Sequence, residues 1–205
     1  YVFDTPVERI LTRNGRATGI EAGGRACAFD QVVSNMDVFY TYRKLLPDEK
    51  QPERILQQPK STSALIFYWG INRAFPELDL HNIFFSDDYK AEFDAIFKRK
   101  RPAKNPTIYI CATSRTDETQ SPKGHENLFI LINAPYTNSK TDWQKEAKSY
   151  RDLIIKKLEE FGLEKLNNLI DFEQIITPED FEKKYRANRG SIYGISSNGI
   201  FSAFM

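Results

Sequence analysis

The clearest hydrophobic pattern along the chain is a set of three segments in which apolar residues run almost without interruption. Runs of this length, rich in β-branched and aromatic side chains, predict strands. They span residues 63–71, 107–112 and 127–133. Because both faces of each run are apolar, each strand should be covered on both sides or should line a cavity.

Shorter alternating runs in the first part of the chain predict a β-meander, with strands at 7–11, 17–20 and 26–29. Asn14-Gly15 and Gly23-Gly24 lie between these runs, and such dipeptides are typical of tight hairpin turns. A short apolar segment at 31–33 predicts one further strand.

Amphipathic periodicity predicts the helices. We expect them at 37–46, 54–57, 87–100, 141–161 and 178–185, with another strand at 170–176. Ser86 should cap the third helix and Thr141, with Gln144, the fourth, while Gly162 should end the fourth. The apolar face of the third helix is formed by Tyr89, Phe93, Ile96 and Phe97. Together these elements predict an α+β or α/β fold, with a mixed, largely antiparallel sheet and flanking helices.

Composition excludes several classes of function. The 205 residues carry a net charge of +1, which gives no electrostatic case for binding nucleic acid. His81 and His125 are far apart with no ligand-like spacing, so we expect no metal site. Cys27 and Cys111 lie in apolar runs and should be buried, reduced thiols of a cytoplasmic protein.

A glycine-punctuated segment, residues 189–198, should bring backbone close to a ligand or to another segment. The chain opens abruptly on residues 1–3 and stops on the apolar run 201–205. It therefore reads as the middle of a larger protein. Apolar surface at these ends, or in a cleft beside residues 192–193, could be covered by a second copy.

Five segments, in order, resemble the bacterial-type carotenoid (phytoene) desaturases. They are Val33–Val38, His81–Tyr89, Pro106–Ser114, Asn133–Pro135 and Arg189–Asn198. The resemblance implies an FAD-dependent flavoprotein with an amine-oxidase-like fold, which transfers hydride from a long isoprenoid hydrocarbon to the flavin. It also leaves two alternatives open: a polyene isomerase or saturase of the same family, and a lipid-binding or interaction domain without redox chemistry.

The resemblance further implies three parts: a remnant of the FAD-binding domain at 1–60, a substrate-binding domain at 61–190, and a return segment at 191–205. The glycine-rich strand–turn–helix that holds the dinucleotide in this family is absent from the sequence. We therefore expect the chain alone to bind no FAD tightly and to be inactive.

Cofactor contacts are implied at Val7, Ser34 and Asn35. Val7 matches a valine whose backbone contacts the adenine of FAD in the wider flavoprotein group, although an ordinary core valine fits the pattern equally well. Ser34 and Asn35 follow a strand expected in the dinucleotide domain and should lie near the flavin.

Substrate contacts follow from the chemistry of a hydrocarbon, which can be recognised only by apolar burial and shape. The candidates are Phe67, Trp69, Tyr109, Ile130, Ile132, Ile192 and Tyr193. Plain core packing is the alternative for the strand residues. No catalytic residue can be assigned from the sequence.

The basic run Lys98, Arg99, Lys100 and Arg101 has two interpretations. It could contact an anionic membrane surface, the source of a lipid substrate, or it could be a solvated helix end. The expected location is the cytoplasm, with membrane association under the first interpretation.

Overall fold

A computed structural model describes residues 1–138 and 140–196, and it has two antiparallel sheets with helices packed against them. The α+β architecture expected from the sequence is confirmed. The segment 201–205 and the last residues of the glycine-punctuated segment lie outside the described residues.

The smaller sheet is the predicted meander. Its strands are β1 (Val7–Arg13), β2 (Arg16–Ala22) and β3 (Arg25–Ala28), paired in the order β1-β2-β3. The strand predicted at 31–33 is wrong, because this segment pairs with neither sheet. Val33 is almost fully exposed, so its apolar character does not reflect burial in a sheet.

The larger sheet contains the three long apolar runs and two further strands. These are β4 (Ser63–Ile71), β5 (His81–Phe84), β6 (Ile108–Cys111), β7 (Glu126–Ala134) and β8 (Ile170–Ile176). Their order is β5-β6-β7-β4-β8, and every neighbouring pair is antiparallel. The central pair runs in unbroken register from Ser63 opposite Ala134 to Ile71 opposite Glu126.

Six helices accompany the sheets within the described residues. They are α1 (Val38–Tyr40, continued by a π-turn at Thr41–Leu45), α2 (Glu53–Leu56), α3 (Tyr89–Phe93, continued by a π-turn at Asp94–Lys98), α4 (Trp143–Glu160), α5 (Leu166–Leu169) and α6 (Pro178–Tyr185). Two predicted caps are wrong. Asp88 caps α3 instead of Ser86, and Asp142 caps α4 instead of Thr141. In both cases a carboxylate caps the helix: Asp88 accepts from the Ala91 N–H, and Asp142 accepts from the N–H groups of Gln144 and Lys145.

Helix α4 covers one face of the larger sheet and forms the main core with it, as predicted. Trp143, Ala147, Ile154 and Leu158 point at the sheet and are buried, whereas Phe161 is half exposed. Among residues 1–138 and 140–196, no helix of comparable length packs against the other face, and a small apolar cluster closes one corner of it. The larger sheet is therefore open on the side away from α4.

Both cysteines are free thiols, but the predicted burial is wrong. Cys27 is exposed on β3, because none of the residues of that edge strand is buried. Cys111 is half-buried on β6.

Candidate functional site

A cavity of about 610 Å³ lies between the smaller sheet, the segment 29–36 and the π-turn that continues α1. Apolar walls come from both the sheet and the segment. The cavity is lined by Pro6, Val7, Ile10, Ile20, Phe29, Gln31, Val32, Val33, Ser34, Asn35, Met36, Lys44, Leu45 and Arg186. All three residues for which a cofactor contact was predicted, Val7, Ser34 and Asn35, thus line one cavity.

The local geometry holds these residues in place. Val7 begins β1, and the ladder with β2 is irregular between Val7 and Arg9. The hydroxyls of Ser34 and Thr41 are hydrogen-bonded at 2.8 Å, which ties the extended segment to α1. The contact of each residue with a cofactor stays a prediction.

The side chains that line this first cavity fit the nucleotide end of a flavin dinucleotide. Val7, Ile10 and Ile20 supply the apolar surface on which a purine ring would pack, and Lys44 and Arg186 add two cations for an anionic ligand. The phosphate-binding turn that normally opens a dinucleotide domain is not in this sequence. The residues present therefore fit one part of the cofactor.

A second cavity, of about 390 Å³, adjoins the first and shares Asn35, Met36 and Arg186 with it. Ile192, a predicted substrate contact, lines this second cavity together with Phe181 of α6. Tyr193, the neighbouring candidate, is largely exposed beside it. The two cavities therefore lie side by side between the smaller sheet and the glycine-punctuated segment.

That segment is held by backbone contacts with residues 59–62. The Ile192 N–H donates to Thr62 O at 3.0 Å, and the Ser61 N–H donates to Gly194 O at 2.9 Å. The Tyr193 N–H donates to the Ser61 hydroxyl at 3.0 Å. The prediction that the glycines allow close approach is confirmed at Gly190, where a Cβ atom would lie 2.1 Å from Pro178 O. The group that approaches Gly190 therefore belongs to another segment of the chain, at the start of α6.

Asp37 and Lys60 place opposite charges near this junction. Asp37 accepts from the Phe39 N–H at the start of α1 and from the Asn188 N–H at 3.1 Å, so it joins the first part of the chain to the residue just before the glycine-punctuated segment. Lys60 is buried, and its ammonium donates to Leu56 O at 3.0 Å. Burial lowers the pKa of Lys60, and the negative charge of Asp37 partly offsets this effect.

Four substrate candidates lie on the closed face of the larger sheet. Phe67, Trp69, Ile130 and Ile132 are at most 2% exposed and pack in the core beneath α4. The four cavities described for residues 1–138 and 140–196 do not touch them. These four residues face α4, because alternate residues of a strand face opposite sides and the helix covers theirs. Their contact with a substrate stays a prediction.

Tyr109, the remaining strand candidate, lies on the open face. It belongs to a row of rings that crosses four strands, formed by Tyr68 (β4), Phe129 (β7), Tyr109 (β6) and His81 (β5). The centroid distances along this aromatic row are 5.4, 6.2 and 6.0 Å. It offers an apolar surface roughly 14 Å long, since neighbouring strands lie about 4.8 Å apart.

The end of the aromatic row on β5 carries a polar pair. His81 Nδ1 and the Tyr109 hydroxyl are 2.8 Å apart. Burial raises the pKa of Tyr109, and the hydrogen bond between its hydroxyl and the side chain of Cys111 adds to the effect. The phenol therefore stays protonated at neutral pH and remains a hydrogen-bond donor.

The open face connects to the second cavity through a small apolar cluster. Ala64, Ile66 and Ile176 are buried there, and Phe129, Leu131, Phe181 and Ile192 pack against them. Because Phe181 and Ile192 also line the cavity, the apolar surface continues from the aromatic row to that cavity.

Sequence reasoning missed Tyr68, Phe129, Lys44 and Arg186. The sequence did not single out Tyr68 and Phe129, because both faces of their strands are apolar. The hydrophobic pattern therefore could not distinguish the face that α4 covers from the open face. Arg186 ends α6 in a left-handed conformation, at φ +56°, which its sequence neighbours do not signal.

The part of the chain that the structure describes, residues 1–138 and 140–196, contains no cluster of three or more histidine, cysteine or acidic side chains arranged to hold a metal ion. None of its helices combines the length and the hydropathy needed to span a bilayer.

Comparison with known proteins shows what the chain is similar to. No family profile matches it. Over all of its 205 residues it is 43% identical to a 1-hydroxycarotenoid 3,4-desaturase of Flavobacterium sp. (strain P99-3), of which it covers 42%. Over 192 residues, 92% of the chain, it is 35% identical to a 4,4'-diaponeurosporene oxygenase of Staphylococcus aureus (strain USA300), of which it covers 39%.

The chain thus spans about two fifths of the length of these curated relatives. Its fold is similar to that of an oxidoreductase from Methanosarcina mazei, with a TM-score of 0.54 at 16% identity, over 83% of this chain and 36% of that one. These matches confirm the resemblance carried by the five sequence segments.

Proposed function

Because this chain is a carotenoid desaturase-like sequence over its whole length, we propose that the intact protein is an FAD-dependent oxidoreductase that desaturates a long isoprenoid hydrocarbon such as phytoene. Residues 1–60 would contribute to the cofactor side and residues 61–190 to the substrate side. The bound flavin would supply the hydride acceptor. Side chains of this chain would bind and orient the substrate.

The observation that carries the proposal is the open aromatic row and its apolar connection to the two cavities. A polyene offers no hydrogen-bond donor or acceptor, so flat rings in line are the surface that binds and orients it. Ile192 and Phe181 lie where that surface meets the cavity, and they would exclude water from the reacting carbons. The proposal assigns no catalytic residue to this chain.

The test is to express the complete protein in cells that accumulate phytoene and to measure the masses of the pigments. Loss of two hydrogen atoms for each new double bond supports desaturation. Gain of oxygen points to an oxygenase, gain of two hydrogen atoms to a saturase, and a changed spectrum at constant mass to an isomerase. Binding of the polyene without any change would contradict the redox proposal and leave the lipid-binding alternative.

Variants at Tyr68 test the aromatic row in the same assay. We expect Tyr68→Ala to lower turnover about tenfold, since it removes one ring from an apolar surface. Tyr68→Phe keeps the ring and should keep the turnover. Equal activity of the two variants, with equal flavin content, would contradict a role for the row.

A second substrate class is favoured by the pair of His81 and Tyr109. A desaturase of hydroxylated carotenoids is among the relatives, and this hydrogen-bonded pair lies at the end of the row where a substrate hydroxyl could bind. If so, His81→Ala should slow turnover of a hydroxylated carotenoid while leaving that of phytoene unchanged. An equal effect on both substrates would favour the plain hydrocarbon.

A further inference from the structure

The charged side chains around the first cavity are all basic. Within the described part of the chain, Lys44 and Arg186 line it, and no aspartate or glutamate accompanies them. The chain as a whole is nearly balanced, with 29 basic and 28 acidic residues, so this separation of charge is local. The cavity therefore combines apolar walls with a basic rim. Such a site selects a ligand that has an apolar part and an anionic part.

Neither of these two cations is paired within the protein. Among residues 1–138 and 140–196, no carboxylate forms an ion pair with Lys44 or Arg186, and no acceptor binds either side chain. Both residues are exposed. By contrast, Arg43, which precedes Lys44 in the same π-turn, pairs with Glu53 at 2.7 Å. The two cations that line the cavity are thus available to an anionic ligand.

Two carboxylates in the neighbourhood of Arg186 are engaged elsewhere. Burial raises the pKa of Tyr40, Glu182 and Asp37 raise it further, and Arg186 opposes them, so all three charges lie near this phenol. Asp37 accepts two backbone N–H groups, and Glu182 accepts from the Thr137 hydroxyl at 3.0 Å. Asp37 lines the second cavity and not the first, so the first cavity keeps its basic rim.

The backbone of Arg186 has a strained conformation. Its φ of +56° lies in the left-handed region, which residues with a Cβ atom rarely adopt, and its N–H donates to Phe181 O where α6 ends. Six residues other than glycine have a positive φ in the part of the chain that the structure describes, and Arg186 is the one that lines the two cavities. Strain of this kind is concentrated at binding sites, where the surroundings enforce it. It therefore marks Arg186 as a residue with a role at these cavities.

We propose that Lys44 and Arg186 bind the phosphate groups in the nucleotide half of the cofactor. A dinucleotide carries its anionic charge next to a flat purine, which matches a basic rim beside apolar walls. The backbone N–H groups of a glycine-rich turn offer dipoles but no full charge, so two cations add attraction that such a turn cannot supply. The proposal rests on the proposed function, because it takes a flavin dinucleotide as the ligand.

The origin of Arg186 gives the proposal a second consequence. This residue ends α6 and belongs to the part of the chain, residues 61–190, that was expected to bind substrate. Lys44 belongs to the part expected to bind the cofactor, residues 1–60. One phosphate group or its neighbour would therefore contact both parts of the chain.

The experiment is a calorimetric titration of the complete protein, with its flavin removed, using ADP and adenosine as the ligands. Because only ADP carries phosphates, the ratio of the two dissociation constants measures what the cations contribute. We expect ADP to bind at least about tenfold more tightly than adenosine, and added salt to weaken the binding of ADP alone.

Arg186→Asn is the first variant, because it removes the charge and introduces a residue that adopts the left-handed conformation readily. We expect it to weaken ADP binding at least about tenfold, with adenosine binding unchanged and the urea midpoint of unfolding no lower than that of the wild type. Arg186→Lys keeps the charge and should restore part of the affinity. The matched control is Lys165→Asn, since Lys165 is an exposed cation with φ +60° that lines neither cavity.

Lys44→Gln tests the second cation in the same titrations. We expect it to weaken ADP binding roughly fivefold and to leave adenosine binding unchanged. Lys50→Gln removes another exposed cation that lines neither cavity, and it serves as the control. The visible absorbance of each purified protein gives a second measurement, because weaker binding leaves less flavin in the preparation.

The proposal would be overturned by an unchanged ratio of ADP to adenosine affinity in Arg186→Asn and Lys44→Gln, by the absence of ADP binding, or by an equal loss in the controls. Inorganic pyrophosphate that binds as tightly as ADP would show that the apolar walls take no part, and it would overturn the assignment to a nucleotide. Failure of the proposed function gives a different result, in which the preference for ADP persists in a protein that leaves phytoene unchanged.

Discussion

Gly190 shows at the scale of one residue why the glycine-punctuated segment has its composition. It adopts φ +67° and lies so close to α6 that a Cβ atom would meet the Pro178 carbonyl oxygen. Gly194 has the same φ of +67°, but a Cβ atom there would meet nothing within 4 Å. An alanine would therefore suffer backbone strain at both positions, but steric overlap only at Gly190.

We predict that Gly190→Ala lowers the free energy of unfolding by at least about 3 kcal/mol, because strain and overlap act together. Gly194→Ala should cost only about 1 kcal/mol, from strain alone. Urea unfolding followed by circular dichroism measures both. Similar losses in the two variants would contradict the role of the contact with Pro178.

Neighbouring residues on β4 show what the sequence could predict and what it could not. That residues 63–71 form a buried strand followed from their composition alone. Whether Phe67 or Tyr68 faces the open side did not, because both neighbours are apolar and the choice depends on where α4 packs. The sequence therefore predicted Phe67 as a substrate residue, whereas the structure exposes its neighbour Tyr68.

Helix α6 is the element whose start was read correctly from the sequence. Thr177 caps it, with Pro178 at its first position, and Asp180 closes a capping box by accepting from the Thr177 N–H at 2.9 Å. Burial alone would raise the pKa of Asp180, but the hydrogen bonds from Thr177 and Lys184 outweigh it and leave the pKa lowered.

We predict that Asp180→Ala lowers the free energy of unfolding by about 1 kcal/mol at neutral pH. Because the folded-state pKa lies below the ordinary value, this contribution is present above that ordinary value and disappears as the pH falls through the lowered one. Urea unfolding at pH 7 and at a pH well below the ordinary value of 3.8 should show the stabilities of the wild-type and variant chains converging on acidification. A constant difference would contradict the electrostatic part of the cap.

At the element level, local signals decided which predictions succeeded. The meander and α4 were found because Asn14-Gly15 and a long amphipathic period are short-range patterns. Strand β5 was not found, since its four residues are recognisable only by their pairing with β6. The prediction of a strand at 31–33 was wrong for the opposite reason, because the composition is strand-like but the segment has no partner strand.

The molecule as a whole is unevenly packed. Strand β3 has no buried residue, whereas all but two residues of β4 are buried. The smaller sheet is tied to the rest of the chain by a few polar contacts, among them the Thr12 hydroxyl donating to Glu49 at 2.5 Å. Local opening of that sheet should therefore need less free energy than opening of the larger one.

We predict that amide hydrogens of β1–β3 exchange at least about tenfold faster than those of β4 and β7, relative to their unstructured rates. Hydrogen exchange followed by mass spectrometry resolves these segments, with the unfolded chain in denaturant as the reference. Uniform protection across both sheets would show that the chain opens only as one unit.

The position of β4 in the sheet has a consequence for the time course of folding. Its partners come late in the chain, since Ser63 pairs with Ala134 and Ile66 pairs with Ile176. During synthesis, β4 therefore has no partner strand until β7 and then β8 have been made. Because such non-local pairing is slow, the nascent chain depends on chaperones or on rapid collapse around α4 to stay free of aggregation.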